Sequence, residues 1–129
     1  MKEPIKSVDL EFTSLEFYNN YAVSVVKEDT VFSQSQFMTI AEACSDFYNG
    51  KKFVYISSRK NNYNVNPTVY VKLEEIRKNL IGIAIVSDKV ASLKMAEFER
   101  NFSKAEFKIF LELDEAVEWA NDLIKKVGR

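Results

Sequence analysis

The side chains best placed for chemistry lie between residues 57 and 66, directly after a short apolar run. The run Phe53–Ile56 is typical of a buried strand, and the polar segment after it ends at Asn66 and Pro67. Asn66 suits an N-cap and Pro67 suits the first position of a helix. Ligands of open α/β sheets bind beyond the carboxyl ends of strands, and helix N-termini favour anions. The candidate binding residues are Ser57, Ser58, Arg59, Asn61, Asn62, Tyr63, Asn64 and Asn66.

Two interpretations of this loop follow from its composition. In the first, Arg59 supplies a positive charge, and the helix N-terminus donates hydrogen bonds to an anion or to the main chain of a partner. In the second, the loop is a solvated turn, because asparagine readily adopts the left-handed backbone conformations that turns require. The asparagine content favours the second interpretation, and the first is kept as a hypothesis.

The residue types that the chain lacks disfavour most enzymes. There is no histidine, so the commonest general base and the commonest metal ligand are both missing. Cys44 is the only cysteine, and its position on the inward side of a predicted helix favours a core thiol. Neighbouring carboxylates such as Glu74 and Glu75 do not face each other on a helix. We therefore predict no catalytic residues, no metal site and no cofactor.

The bulk composition predicts one globular domain over residues 1–129. The chain is 47% hydrophobic and 29% charged, with three glycines and two prolines, which disfavours disorder. A net charge of −1 without a basic stripe disfavours nucleic acid as a partner. The first residues lack the apolar segment of a signal peptide, and the run Leu80–Val86 is too short to span a bilayer. We expect a soluble protein of the cytoplasm.

The order of the predicted elements indicates an α/β fold. Apolar alternation over Val8–Phe17, which shifts near Ser14 and Leu15, a turn at Asn19 and Asn20, and the β-branched run Tyr21–Val26 predict an antiparallel hairpin. Apolar runs predict three further strands, at Phe53–Ile56, Ile81–Val86 and Phe107–Phe110. Helical spacing predicts four helices, between Ser33 and Asn49, over Pro67–Lys78, over Lys89–Phe102 and over Glu112–Lys126. The sum is a mostly parallel five-stranded sheet opened by a hairpin, with four helices and right-handed crossovers.

The predicted helix Lys89–Phe102 has a broader apolar surface than one stripe requires. Ala91, Met95, Phe98 and Phe102 form the stripe, and Leu93 and Val90 lie beside it. Apolar residues left exposed there would indicate a protein partner or a homodimer. A broad buried face is the alternative, and the sequence leaves both open.

The element order and four segments resemble the SpoIIAA-like group of the STAS superfamily. The segments are Phe53–Ser57, Tyr63–Pro67, Gly82–Ser87 and Glu115–Ala120, and the resemblance covers most of the chain. It implies a STAS-like fold and a non-catalytic regulatory or protein-interaction module, such as an anti-sigma factor antagonist, a stressosome component or a transporter appendage. Part of the wider group resembles the CRAL-TRIO lipid-binding fold, which implies a small apolar ligand as the alternative.

The resemblance also bears on phosphorylation. Regulatory STAS domains carry a phosphorylated serine or threonine in an Asp-Ser-Ser/Thr-x-x-Gly motif at the helix start after the central strand. The matching positions here are Asn66, Pro67 and Thr68, where the acid, the acceptor serine and the glycine are missing. Pro67 has no N–H to offer a phosphate. We therefore expect Thr68 to be unmodified and regulation to depend on binding at residues 59–64, without the usual phospho-switch.

Overall fold

A six-stranded sheet forms the centre of the computed structural model, which describes residues 3–27, 31–32, 34–58, 64–65, 79–87, 93–94, 96–97 and 106–127. In chain order the elements are β1 (Lys6–Asp9), β2 (Thr13–Phe17), β3 (Tyr21–Val26), β4 (Val31–Phe32), α1 (Gln34–Tyr48), β5 (Phe53–Ser58), β6 (Asn64–Val65), β7 (Leu80–Val86), β8 (Glu106–Phe110) and α2 (Leu113–Lys126). Residues 93–94 and 96–97 are also helical. The spatial order of the main sheet is β1-β2-β3-β5-β7-β8, and β4 and β6 form a separate pair.

The sheet begins antiparallel and continues parallel, as the sequence predicted. β1, β2 and β3 pair in antiparallel fashion, and β3, β5, β7 and β8 pair in parallel. β5 and β7 are adjacent central strands, with Tyr55 opposite Ile83 and Ile56 opposite Ala84. Every residue of β5 is buried, and so is every residue of β7 except Ile81. The predicted hairpin and the central parallel pair are therefore confirmed.

The main sheet has six strands and not the predicted five, because the segment predicted as one strand over Val8–Phe17 forms two. The short strands β4 and β6 were not predicted either. Glu11 has a positive φ of 71°, and its N–H donates to Asp9 Oδ1 at 3.0 Å. An aspartate that accepts a hydrogen bond from the backbone two residues on favours a turn. Leu10 and Phe12 still pack against the core from within this turn, so apolar alternation persists where the strand is interrupted.

The helices that fall within the described residues agree with prediction at their ends. α1 stops at Asn49 and Gly50, whose φ angles of 45° and 91° are those of a left-handed C-terminal cap. α2 carries acids in its first turn and lysines in its last, which suits the helix dipole. The predicted helix Pro67–Lys78 lies outside the described residues. So does most of Lys89–Phe102, including its predicted stripe and Val90.

Two apolar layers enclose the sheet. α1 covers one face, where Leu15, Tyr55 and Ile83 point, and the helical residue Ala96 is fully buried in that same cluster. α2 covers the other face, where Val54 and Ile56 point. Leu93 is partly buried. The two faces of the sheet are therefore covered by different parts of the chain, α1 on one face and α2 on the other.

Gly82 in β7 allows α2 to approach the sheet closely. A Cβ atom at this position would lie 2.6 Å from Leu123 Cδ2 and 3.1 Å from Trp119 Cη2. Contacts this short force a neighbour to move, and the first to do so is the end of the Leu123 side chain. Trp119 also packs against Phe110, with ring centroids 5.7 Å apart. The glycine therefore sets the distance between α2 and the centre of the sheet.

We predict that Gly82→Ala destabilises the protein by about 1–3 kcal/mol, because it overpacks the contact with Leu123. Leu123→Ala alone should cost about 2–5 kcal/mol through the cavity it leaves. In the double variant the new methyl group should occupy part of that cavity. The loss of stability in the double variant should therefore be smaller than the sum of the losses in the two single variants, by roughly 0.5–3 kcal/mol. Urea denaturation of all four proteins measures this coupling, and strict additivity would contradict the contact.

Candidate functional site

The predicted binding loop lies only partly within the described residues. Ser57 and Ser58 are the last two residues of β5 and are 3% and 5% exposed, so they belong to the sheet and not to a solvated loop. Asn64 begins β6. The residues outside the described set are Arg59, Asn61, Asn62, Tyr63 and Asn66, together with Thr68. A binding site at residues 59–64 stays a prediction.

Ser57 is placed beside a pair of buried hydroxyl groups on the α1 face. Thr13 Oγ1 and Ser24 Oγ share a hydrogen bond of 2.7 Å, and both residues are 0% exposed. Ser57 lies directly opposite Ser24 in the parallel register of β3 and β5. Buried hydroxyl groups are almost always hydrogen-bonded in this way, because an unmet donor is costly. The arrangement indicates a structural role for these hydroxyl groups inside the sheet.

The segments that follow β3 and β5 meet in the small sheet of β4 and β6. Val31 lies opposite Asn64 and Phe32 opposite Val65, in parallel. The parallel strands of the main sheet follow one another in a single direction, from β3 through β5 and β7 to β8. Open α/β sheets form their ligand crevice where this order reverses. The described strands contain no such reversal, so the strand order indicates no ligand crevice among them.

A cleft of about 310 Å³ lies on the α2 face of the main sheet, between the turn that joins β2 to β3 and the helix α2. The sheet side of the cleft is lined by Tyr18, Asn19, Asn20, Tyr21 and Val23. The helix side is lined by Leu113, Asp114, Val117 and Asn121. Phenol, amide and carboxylate groups thus share the walls with three aliphatic side chains.

Backbone hydrogen bonds hold the sheet side of the cleft in place. The Tyr18 N–H donates to the Tyr21 carbonyl at 2.9 Å and closes the turn. The Val54 N–H donates to the Asn20 carbonyl at 2.9 Å, which fixes the turn to the buried strand β5. The Tyr48 hydroxyl, from α1, donates to the Tyr18 carbonyl at 2.9 Å. The turn is therefore preorganised by three elements of the fold.

Side-chain contacts join the two walls. Asn20 Nδ2 donates to Asn121 Oδ1 at 2.9 Å, across 101 positions of sequence. The rings of Tyr18 and Tyr21 stack with centroids 4.6 Å apart and planes 16° apart. Both tyrosines are largely buried, at 8% and 6% exposure. The cleft consequently has stacked tyrosine rings on its sheet side, and a hydrogen bond joins its two walls at Asn121.

The charge near the cleft is negative. The Tyr18 hydroxyl donates to Glu16 Oε1 at 3.3 Å, and Asp114 lines the helix wall. Desolvation by burial, and then the charge of Glu16, raise the pKa of Tyr18, and burial raises the pKa of Tyr21. Both phenols are therefore neutral at physiological pH. No lysine or arginine is among the described residues that line the cleft.

Sequence reasoning missed this site. The pair Asn19 and Asn20 was interpreted as a turn alone, and Asn121 was placed on a helix without a role. The local signal was the tyrosine on each side of the asparagine pair, since Tyr18 and Tyr21 bring large amphipathic side chains to a turn. The contact with Asn121 has no local signal, because it depends on how α2 packs on the sheet.

Cys44 and the possible metal ligands can be located within the described residues. Cys44 is 2% exposed and free, and burial raises the pKa of its thiol to about 12, so the reactive thiolate is absent at neutral pH. The predicted core thiol is confirmed by this burial. Across the part of the chain that the structure describes, no group of three metal-ligating side chains is assembled. In that same part, no helix has the length and apolar character needed to cross a membrane.

Comparison of the chain with protein-family models, with curated proteins and with solved structures found no match in any of the three.

The Thr13–Ser24 contact predicts a measurable coupling. Ser24→Ala and the near-isosteric Thr13→Val should each destabilise the protein by about 1–3 kcal/mol, because each removes the hydrogen bond between two buried hydroxyl groups. In Ser24→Ala the Thr13 hydroxyl keeps its 3.4 Å hydrogen bond to the Ser14 carbonyl, so this variant should lie at the lower end of the range. The double variant should cost less than the sum of the two by about 1 kcal/mol, because it leaves neither hydroxyl. Denaturant unfolding of the four proteins gives the coupling, and a value of zero would contradict the bond.

The pKa of Cys44 predicts a loss of stability in alkali. The folded protein holds the neutral thiol up to about pH 12, whereas the unfolded chain ionises near the ordinary value of about 8.5–9. The stabilisation is therefore complete below about pH 9 and is lost as the pH rises toward 12. The stability difference between wild type and Cys44→Ala should fall by about 2 kcal/mol between roughly pH 8 and 10.5. A difference that is independent of pH would contradict this burial.

Proposed function

We propose that the protein is a non-catalytic protein-interaction module and that the cleft between the β2–β3 turn and α2 is its binding surface. The observation that carries the proposal is the wall chemistry: stacked tyrosines and asparagine amides on a turn that is fixed by hydrogen bonds. Tyrosine is enriched at protein interfaces because it combines apolar area with a polar tip. Asparagine supplies adaptable hydrogen bonds at such surfaces. A preorganised surface also loses less entropy on binding.

The resemblance to the SpoIIAA-like group of the STAS superfamily supports the same class of function. The regulatory members of that group act by binding other proteins, which agrees with a module that has a binding surface. The regulatory role and the place in the cytoplasm come from the sequence alone. The cleft supports the binding part of the proposal, through residues that the resemblance did not point to.

The alternative of a small apolar ligand receives less support from this cleft. Its walls carry hydroxyl, amide and carboxylate groups, and an apolar ligand would strip water from them without replacing their hydrogen bonds. A peptide segment offers donors and acceptors along its backbone and suits such walls better. Homodimerisation stays a prediction, since most of the helix that suggested it lies outside the described residues.

We predict that Val117→Arg abolishes partner binding, because Val117 lines the cleft and a long charged side chain would fill it. The matched control is Ser45→Arg, which adds the same charge at an exposed position of α1 on the other side of the sheet. Proteins captured from a lysate of the native host by wild type and Ser45→Arg, and lost with Val117→Arg, identify the partner. Calorimetry with the purified partner should then show at least a roughly tenfold loss of affinity, about 1.4 kcal/mol.

The two arginine variants must first be shown to be folded, by circular dichroism and thermal unfolding. If folded Val117→Arg binds the purified partner as tightly as Ser45→Arg does, the cleft is not the binding surface. Turnover of a substrate by the wild-type protein would contradict the non-catalytic part of the proposal.

A further inference from the structure

We propose that the segment which enters the cleft presents a positively charged side chain, an arginine or a lysine of a partner protein. This inference rests on the proposed function and names the chemistry of the partner at the same surface.

A carboxylate lies at or next to each wall of the cleft. Asp114 lines the helix wall directly. Glu16 lies next to the sheet wall, where its Oε1 accepts a hydrogen bond of 3.3 Å from the Tyr18 hydroxyl. Glu118 is exposed one helical turn beyond Asp114 and extends the negative surface along α2. Asp114 is the acidic residue among the described lining residues, which include no lysine or arginine, so the charge of the lining favours a cation.

The start of α2 would favour an anion, because helix N-termini carry partial positive charge. Two carboxylates of the helix itself, Asp114 and Glu115, already stand in its first turn. An incoming anion would meet Asp114 before it reached the backbone N–H groups. A guanidinium or ammonium group would instead meet the carboxylate first, which the same geometry favours.

The walls also offer the acceptors that a charged donor needs. Asn121 Oδ1 is an amide oxygen with two lone pairs, one of which accepts from Asn20. The hydroxyl of Tyr18 donates to Glu16 and keeps its own oxygen as an acceptor. Guanidinium has five donors and ammonium three, so either group can bond to several wall atoms at once. The stacked rings of Tyr18 and Tyr21 offer an apolar surface on which the aliphatic stem of such a side chain can pack.

The size of the cleft sets how much of the partner it holds. A volume of about 310 Å³ is at the lower end of the range for small-molecule pockets. One long side chain and the backbone on either side of it would fill it. The inference is therefore a short extended segment with a single central cation, and not a folded element.

The test uses ¹⁵N-labelled full-length protein and three blocked pentapeptides. The first is Gly-Ser-Arg-Ser-Gly, and glutamine or glutamate replaces its arginine in the other two. The arginine peptide should shift the backbone amides of residues 18–21 and 113–121, with a dissociation constant of roughly millimolar order. The glutamine peptide should bind about fivefold more weakly, and the glutamate peptide more weakly still.

Charge variants assign the effect to the named carboxylates. Asp114→Asn and Glu16→Gln should each weaken the arginine peptide by about two- to fivefold, and the glutamine in the latter can still accept from the Tyr18 hydroxyl. Glu42→Gln removes the same charge from an exposed position on α1 and should change nothing. Asp114→Lys should reverse the preference, so that the glutamate peptide binds better than the arginine peptide.

Each other outcome overturns the inference. Equal binding of all three peptides in the cleft would retain the binding surface and reject its preference for a cation. Shifts that lie elsewhere on the protein, or no shifts with about 10 mM arginine peptide, would also reject it. The loss of the natural partner with Val117→Arg is a separate measurement, so failure here is distinguishable from failure of the proposed function.

Discussion

Burial of the parallel pair β5 and β7 on both faces is the constraint on which the rest of the structure depends. Tyr55 and Ile83 point toward the layer of α1, and Val54 and Ile56 point toward α2. Each large apolar side chain buried in this way contributes about 1.5–3 kcal/mol. Because both faces are apolar, each must be covered, and the chain supplies α1 before β5 and α2 after β8. The positions of both helices follow from this requirement.

The cleft is a consequence of the same arrangement. α2 packs against β7 at Gly82, which leaves room for Leu123. That contact places Val117 and Asn121 opposite the turn between β2 and β3. The turn is held in turn by β5, through the bond from the Val54 N–H to the Asn20 carbonyl. The residues proposed to bind a partner are thus held in place by the most buried part of the molecule. The acidic residue of the lining, Asp114, is exposed to water.

The sequence predicted the parts of the fold that depend on local patterns. Apolar runs located β5 and β7, and the pair Asn49 and Gly50 located the end of α1, because each signal acts over a few residues. The break at Glu11 was missed, since Leu10 and Phe12 stay against the core through the turn. The shift of the alternation near Ser14 and Leu15 was the local sign of an irregularity in this segment. Ser57 and Ser58 were assigned to a loop because their hydroxyl groups are polar, although Ser57 lies opposite a buried serine of β3. The cleft could not be predicted, because Asn20 and Asn121 meet only after α2 has packed on the sheet.

Native-state hydrogen exchange at the Val54 amide tests the central claim most directly, because that N–H joins the buried strand to the turn that forms the cleft. The account predicts that the Val54 amide exchanges as slowly as the amides of Tyr55 and Ile56, through opening of the whole sheet. It also predicts that Val117→Arg leaves this protection unchanged, since the substitution leaves the backbone hydrogen bond from Val54 to Asn20 in place. Fast exchange at Val54 beside protected neighbours in β5 would show that the turn is not fixed to the core, and would contradict the account.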